Sequence, residues 1–368
     1  MKPPVSLIPL SAIYGAVTRT RLTAYRRGWF SVSRLAAPVI SVGNLTAGGT
    51  GKTPLVEWVC RAIAKADARE DTREGKRVCV LTRGYGRDNP KMQVVVSNGT
   101  EVLAGEREAG DEPLLLARKL LGIAAVVANG DRVAAGEWAI EKLRTEVFVL
   151  DDGFQHLRLA RDLDVVTIDA TNPWGGGSLL PYGRLREPRA GLSRADCVVI
   201  TRTDQVEDLA SIRATVARLV GAAPVFTSQM VTSGVCKLAG QSVDKESLFS
   251  QRLGAFCGVG NAESFFNHLR REGCEPSFTR AFADHHNYRQ SELDALVNEA
   301  KARGAEGLIT TAKDVTKLLA FNLGLPCYVV DIQISIDEED RFVDLLLDAA
   351  NQGESKGRCP TSERNRES

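Results

Sequence analysis

The sequence predicts an α/β fold: a wound, mainly parallel sheet, followed by a second, smaller α/β unit and preceded by an amphipathic N-terminal helix. Three observations carry this. Short runs that are apolar but for Ser41 and Thr167 recur at residues 38–42, 78–81, 125–127, 147–150, 165–168 and 198–200, and strands without apolar/polar alternation are those covered on both faces, as in parallel sheets. Segments with helical spacing of apolar residues lie between them, residues 55–63 and 114–121 among them, the alternation that βαβ units produce. The first run ends in a glycine-rich loop that opens directly into a helix, a junction that such sheets place beyond the carboxyl ends of their strands.

A chain of 368 residues, 43% hydrophobic and 25% charged, can bury the cores of two ordinary domains. Residues 1–36 are expected as an N-terminal amphipathic, membrane-associating segment, 37–224 as the core domain and 225–350 as a second α/β domain closing a cleft. The boundary is placed near Pro224, because regular strand spacing is lost between residues 221 and 237. Residues 351–368 are polar and expected to be disordered. A net charge of +1 gives no sign of a nucleic-acid partner. Eight cysteines without a CxxC pair read as free thiols in a reducing compartment, and the four histidines show no zinc-ligand spacing.

Residues 1–56 contain no Asp or Glu, yet carry Lys2, Arg19, Arg21, Arg26, Arg27, Arg34 and Lys52. The apolar stretch at residues 5–17 is too short to span a bilayer and lacks a small-residue cleavage pattern, so no cleaved signal peptide is expected. Two readings stay open: a helix lying on an anionic membrane surface, or a core-packing helix with a solvated basic face.

The loop reads Thr46-Ala47-Gly48-Gly49-Thr50-Gly51-Lys52-Thr53. Glycines let backbone N–H groups turn toward phosphates, Lys52 reaches the β/γ oxygens, and the Thr53 hydroxyl can ligate Mg²⁺ at the helix N-terminus, so this is a phosphate-binding P-loop for ATP. Thr46 stands where the general pattern has a glycine. The run at 147–150 ends in Asp151-Asp152-Gly153, which makes Asp151 the expected magnesium carboxylate and leaves Asp152 to hold a metal water or orient an acceptor. Thr201-Arg202-Thr203-Asp204 and Thr311-Ala312-Lys313-Asp314 both depart from a guanine-reading [NT]KxD, which disfavours GTP. Ala47 replaces the extra lysine of partition-type ATPases.

A kinase also needs a group to take the acceptor's proton. Gly110-Asp111-Glu112-Pro113 and Ala283-Asp284-His285-His286 supply candidates, although each, taken alone, also fits an ordinary helix cap. The loop alone leaves open an ATPase switch or chaperone acting on a protein partner.

Taken in order, the P-loop segment 43–54, Arg83-Gly84-Tyr85-Gly86-Arg87, Gly110-Asp111-Glu112-Pro113, Asp151-Asp152-Gly153-Phe154-Gln155-His156, Leu185-Arg186-Glu187-Pro188, Phe256-Cys257-Gly258-Val259-Gly260-Asn261 and Asp284-His285-His286 resemble the tetraacyldisaccharide 4'-kinases of lipid A biosynthesis, in which Thr46 is also shared. The resemblance implies a peripheral enzyme at the cytoplasmic face of the bacterial inner membrane. It would transfer the γ-phosphate of ATP to the 4'-hydroxyl of an acylated glucosamine disaccharide 1-phosphate, giving lipid IV-A, with no obligate protein partner. It implies Asp111 as the catalytic aspartate, paired with His285, and with Lys52 completing the catalytic set; His286 is the alternative imidazole. It implies Thr53, Asp151 and Asp152 at magnesium, Glu187 near the metal or acceptor, and Arg83, Arg87 and Arg132 as phosphate or sugar contacts.

Overall fold

The computed structural model describes residues 4–67 and 76–356. Its strands are β1 (Val39–Asn44), β2 (Val78–Thr82), β3 (Val94–Ser97), β4 (Ala124–Ala128), β5 (Val147–Asp151), β6 (Leu163–Asp169), β7 (Cys197–Thr201), β8 (Val225–Lys237), β9 (Ser242–Val243), β10 (Leu253–Cys257), β11 (Phe278–Ala281), β12 (Gly307–Thr311) and β13 (Cys327–Ile336). They form one sheet in the order β11-β10-β12-β13-β8-β7-β6-β1-β5-β2-β4-β3, with β9 paired to β8. The β-branched runs anticipated from sequence are the parallel strands at its centre. Their residues are buried at every position from β1 through β7, except in β3 at the edge.

Strand β8 joins two halves. Val225, Phe226 and Thr227 pair parallel to β7, whereas residues from Ser228 to Lys237 pair antiparallel to β13. The segment that breaks the regular strand spacing is therefore itself the longest strand. Its irregular reading has a physical cause: its first residues are covered on both faces, and the rest lie between changing partners with no single burial period.

Helix Lys52–Asp67 covers one face of the central strands through Leu55, Val56, Val59 and Ile63. Helix Glu339–Lys356, which sequence grouped with the second unit, returns to this same core. Phe342 stacks on Trp58 at 5.4 Å and lies 4.9 Å from Phe226. That helix also extends past Asn351, where a disordered tail was expected to begin; residues 357–368 lie outside the described residues.

An N-terminal helix is present at Ile8–Arg26. It docks through small side chains: Ser11 donates to the Leu179 carbonyl, and Gly15 packs on the Leu179 side chain. The larger Ile8, Leu10, Ile13 and Val17 stay exposed, so it is not a core helix packed through its large apolar residues, and an amphipathic arrangement of the usual kind is not what the structure shows.

Candidate active site

Strand β1 lies between β5 and β6, with Val42 registered on Asp151 and Asn44 on Thr167. This register brings the loop after β1 beside the carboxyl end of β5, the crevice where wound sheets bind ligands. Polar contacts fix the loop from beneath: Asn44 Nδ2 donates to the Thr46 carbonyl at 2.7 Å and the Thr50 hydroxyl at 2.9 Å, and Thr201 Oγ1 donates to the Thr50 carbonyl at 3.0 Å. Gly51 has φ +84°, and a Cβ there would meet Met230 and Thr201, so glycine is required on both counts. Thr46 is buried, and its backbone bridges Leu185.

A cleft of about 1290 Å³ opens over this loop. The loop residues, Arg83, Arg132, Asp151 and Asp152 line it from the first half, and Gly260, Asn261, His285 and Lys313 from the second. The N-terminal helix adds Tyr14, Val17, Thr18 and Arg21 at one end.

Asp151 is almost fully buried and accepts from Thr82 Oγ1 at 3.0 Å. Burial, reinforced by the nearby charges of Glu112 and Asp152, raises its carboxyl to about 6 against the pull of Lys52. Lys52 Nζ stands 3.5 Å from Asp152 Oδ1, and Arg186 Nη1 lies 2.7 Å from both Asp152 oxygens. Burial alone would raise Asp152, but Lys52 and Arg186 hold it below the usual carboxylate range.

The second cluster is built across the halves. Gly110, at φ +87°, makes the sharp entry into helix Asp111–Lys119, and a Cβ there would strike the Tyr85 carbonyl at 2.5 Å. Asp111 is thereby fixed at the helix start. Its Oδ2 lies 2.6 Å from His285 Nδ1 and 3.1 Å from Lys317 Nζ, and its Oδ1 accepts from the Glu112 N–H. Burial pushes Asp111 up, but the bond and charge of His285, with Lys317, carry it well below the usual range. The hydrogen bond to Asp111 raises His285 in turn, against the opposing effect of burial. His286 instead meets Glu292 at 3.0 Å, so the imidazole facing Asp111 is that of His285. His285 lines the cleft; Asp111 stands behind it.

Not every anticipated residue reaches the wall. Arg87 is buried, donating to the Ala128 and Pro90 carbonyls at 2.9 and 2.7 Å, and Glu187 is buried against Arg194 and Gln155. Neither lines the cleft, because both are consumed in holding loops. Arg132 does line it. Its burial lowers the guanidinium to about 10, with Asp151 opposing, and among the described residues its one hydrogen bond is to Gly130 at 3.3 Å.

Sequence reasoning passed over His156, Lys313, Lys317 and Asn261 as site residues. His156 lines the cleft with its Nε2 buried and unpartnered. Asn261 donates to Asp169 at 3.2 Å, which in turn pairs with Arg202, itself bonded to the Gly49 carbonyl. The 311–314 segment that departs from a guanine reader supplies Lys313, and the short helix after it supplies Lys317, while Asp314 is a buried acceptor for Gly258 N–H, Tyr288 and Thr311.

Comparison with known proteins fits this geometry to a family. The model of the LpxK family, tetraacyldisaccharide-1-P 4'-kinase, matches residues 4–351. The chain belongs to this family. Relatives of the name tetraacyldisaccharide 4'-kinase include one from Geobacter metallireducens, 43% identical over 85% of this chain and 88% of its own, and one from Desulfotalea psychrophila, 36% identical over 92% and 94%. A crystal structure of LpxK from Aquifex aeolicus in complex with ATP superposes with TM-score 0.73 at 31% identity, covering 94% of this chain and 98% of that one. The fold of this chain is thus that of an LpxK-type protein.

Proposed function

We propose that this chain, a tetraacyldisaccharide 4'-kinase by family, performs its phosphoryl transfer in the cleft between the P-loop and His285. The acceptor's 4'-oxygen bonds to the γ-phosphorus as the β,γ-bridging oxygen departs with ADP, and the hydroxyl proton passes to the Asp111–His285 pair. With Nδ1 engaged by Asp111, His285 presents Nε2 to the cleft as the receiving atom, and Asp111 holds the ring in that tautomer and orientation. The observation that carries this reading is the Asp111–His285 contact at 2.6 Å, opposite the P-loop. Lys52 and the loop amides meet the phosphates.

Magnesium belongs to the same proposal. Among the described residues no three His, Cys, Asp or Glu side chains form a self-sufficient cage, as fits an ion completed by phosphate oxygens and water. The donors are hard oxygens: Thr53, Asp151 and Asp152, of which Asp151 is a buried carboxylate with no cation bonded to it among the described residues. They suit Mg²⁺, which when bound would neutralise charge on the β- and γ-phosphates.

The acceptor's lipid chains argue for a membrane surface. Among the described residues no helix is long and apolar enough to cross a membrane. The exposed Val5, Ile8, Leu10, Ile13 and Val17, with Trp29 and Phe30 beside arginines, suit a face lying in a cytoplasmic leaflet. Arg21 and Arg132 suit the acceptor's 1-phosphate, and Arg83 at the cleft wall suits a sugar or phosphate contact.

The deciding experiment incubates the protein in detergent with Mg²⁺-ATP and tetraacyldisaccharide 1-phosphate and seeks one added phosphate by mass spectrometry, with Lys52→Ala as control. Product that vanishes in the control supports the proposal; ATP binding without lipid product sinks it and favours a partner-driven ATPase.

A further inference from the structure

The segment after β12 sends two lysines back across the seam onto two consecutive acids. Lys313 pairs with Glu112, and Lys317 Nζ lies 3.1 Å from Asp111 Oδ2. Lys317 comes from the short helix Val315–Leu318 and its side chain is only 9% exposed. Burying an ammonium is costly unless a partner repays it, and among the described residues its side chain has one such partner, Asp111. Asp111 Oδ2 thus takes two donors at once, the His285 imidazole and the Lys317 ammonium, while Oδ1 takes the Glu112 N–H. Those three contacts leave the carboxylate no freedom to rotate away from the ring it aims.

We propose that Lys317 is a positioning residue for the phosphoryl transfer, locking Asp111 from the second half of the chain so that the Asp111–His285 pair is aimed into the cleft. The proposal rests on the reading of that pair as the proton acceptor. Lys317 does not line the cleft, so it acts through Asp111. It also has an electrostatic consequence. A fixed cation beside the pair opposes the arrival of a proton on it, so the pair stays ready to accept one at lower pH than it otherwise would. The other charges around the pair are Lys313 and Asp284 facing His285, with Asp284 Oδ1 3.9 Å from its Nε2, and Glu112 next to Asp111. None of these bonds Asp111 Oδ2.

The test compares Lys317→Met, Lys317→Arg and Asp111→Ala in the lipid kinase assay, reading kcat, both KM values and the pH dependence of kcat/KM, with thermal melting and ATP affinity as checks of folding. Lys317→Met should lower kcat by about 10²-fold with both KM values near wild type. It should also move the acid limb of the profile upward by about one pH unit, since the opposing cation is gone. Lys317→Arg should recover most of kcat and return the limb. If Lys317→Met does not fold, Lys317→Gln takes its place, judged by the same limb. A Lys317→Met enzyme with wild-type kcat and limb, while Asp111→Ala is inactive, overturns the proposal and leaves the acceptor pair standing. Equal loss in the Met and Arg variants with an unmoved limb reduces Lys317 to a structural prop and overturns it too. Wild-type turnover in Asp111→Ala removes the reading beneath it.

Discussion

Asp111 Oδ2 and His285 Nδ1 meet at 2.6 Å although 174 positions separate them in sequence. The contact requires helix Asp111–Lys119 to start at the sharp Gly110 turn and His285 to hold a positive φ of 60°, so two local constraints serve one long-range pair. Asp111→Ala and His285→Ala should each reduce kcat by about 10²- to 10⁴-fold, the range of a lost acid–base group, with ATP affinity near wild type by calorimetry. Because the two act as a unit, the double variant should lose little more than either single one. Additive losses would mean that they act separately.

The arginines separate by what they hold. Arg87 bonds two backbone carbonyls, so Arg87→Met should destabilise the fold by about 1–3 kcal/mol and leave the lipid KM unchanged. Arg132 is a buried cation facing the cleft, so Arg132→Met should raise the lipid KM at least about tenfold, one charge-assisted contact, without loss of stability. Denaturant titration beside steady-state kinetics checks both, and a raised lipid KM in Arg87→Met would restore it as a substrate contact.

Much of this architecture is legible in the amino-acid sequence. Strands β1, β2, β4, β5, β6 and β7 stand out because burial on both faces gives each a short, mostly apolar run, and the P-loop because its residues are contiguous. Strand β8 does not, since a strand that changes from parallel to antiparallel partners midway has no single period. The edge strand β11 escapes notice for want of burial. Residues of the phosphate end can be picked out because they follow strands; Lys317 and His156 cannot, since what marks each is a partner, or the lack of one, set by tertiary packing. Arg87 and Glu187 are charged residues in suggestive motifs whose side chains the structure bonds within their own neighbourhood, away from the cleft wall.

His156 carries a pH signature. Burial, then the charges of Arg132, Arg161 and Arg21, lower its imidazole to about 4. A base with a depressed folded value gives stability that is complete above its unfolded value, near 6.5, and lost as pH falls toward 4. Allowing for its partial exposure, this is worth about 2 kcal/mol. Wild type should therefore lose stability between pH 6.5 and pH 4, and His156→Gln should lose about 2 kcal/mol less over that window, by urea titration at each pH. Parallel stability curves would show that the imidazole is not buried in its neutral form.

Phe342 tests whether the C-terminal helix belongs to the nucleotide-binding half. It is fully buried, stacked on Trp58 of helix Lys52–Asp67 and close to Phe226 at the start of the crossing strand. Phe342→Ala removes a large aromatic from a site walled by two others, where collapse is restricted, and should cost about 3–5 kcal/mol. The loss should not stop at stability. Helix Lys52–Asp67 presents the P-loop lysine at its first residue, and the Phe342 ring stacks on Trp58 of that helix. ATP affinity should therefore fall with stability in Phe342→Ala, measured by calorimetry at a temperature where the variant is still folded. Phe342→Leu, which keeps the site filled, should retain most of both. Normal ATP affinity in a destabilised but folded Phe342→Ala would mean that this helix stabilises the sheet without setting the position of the loop.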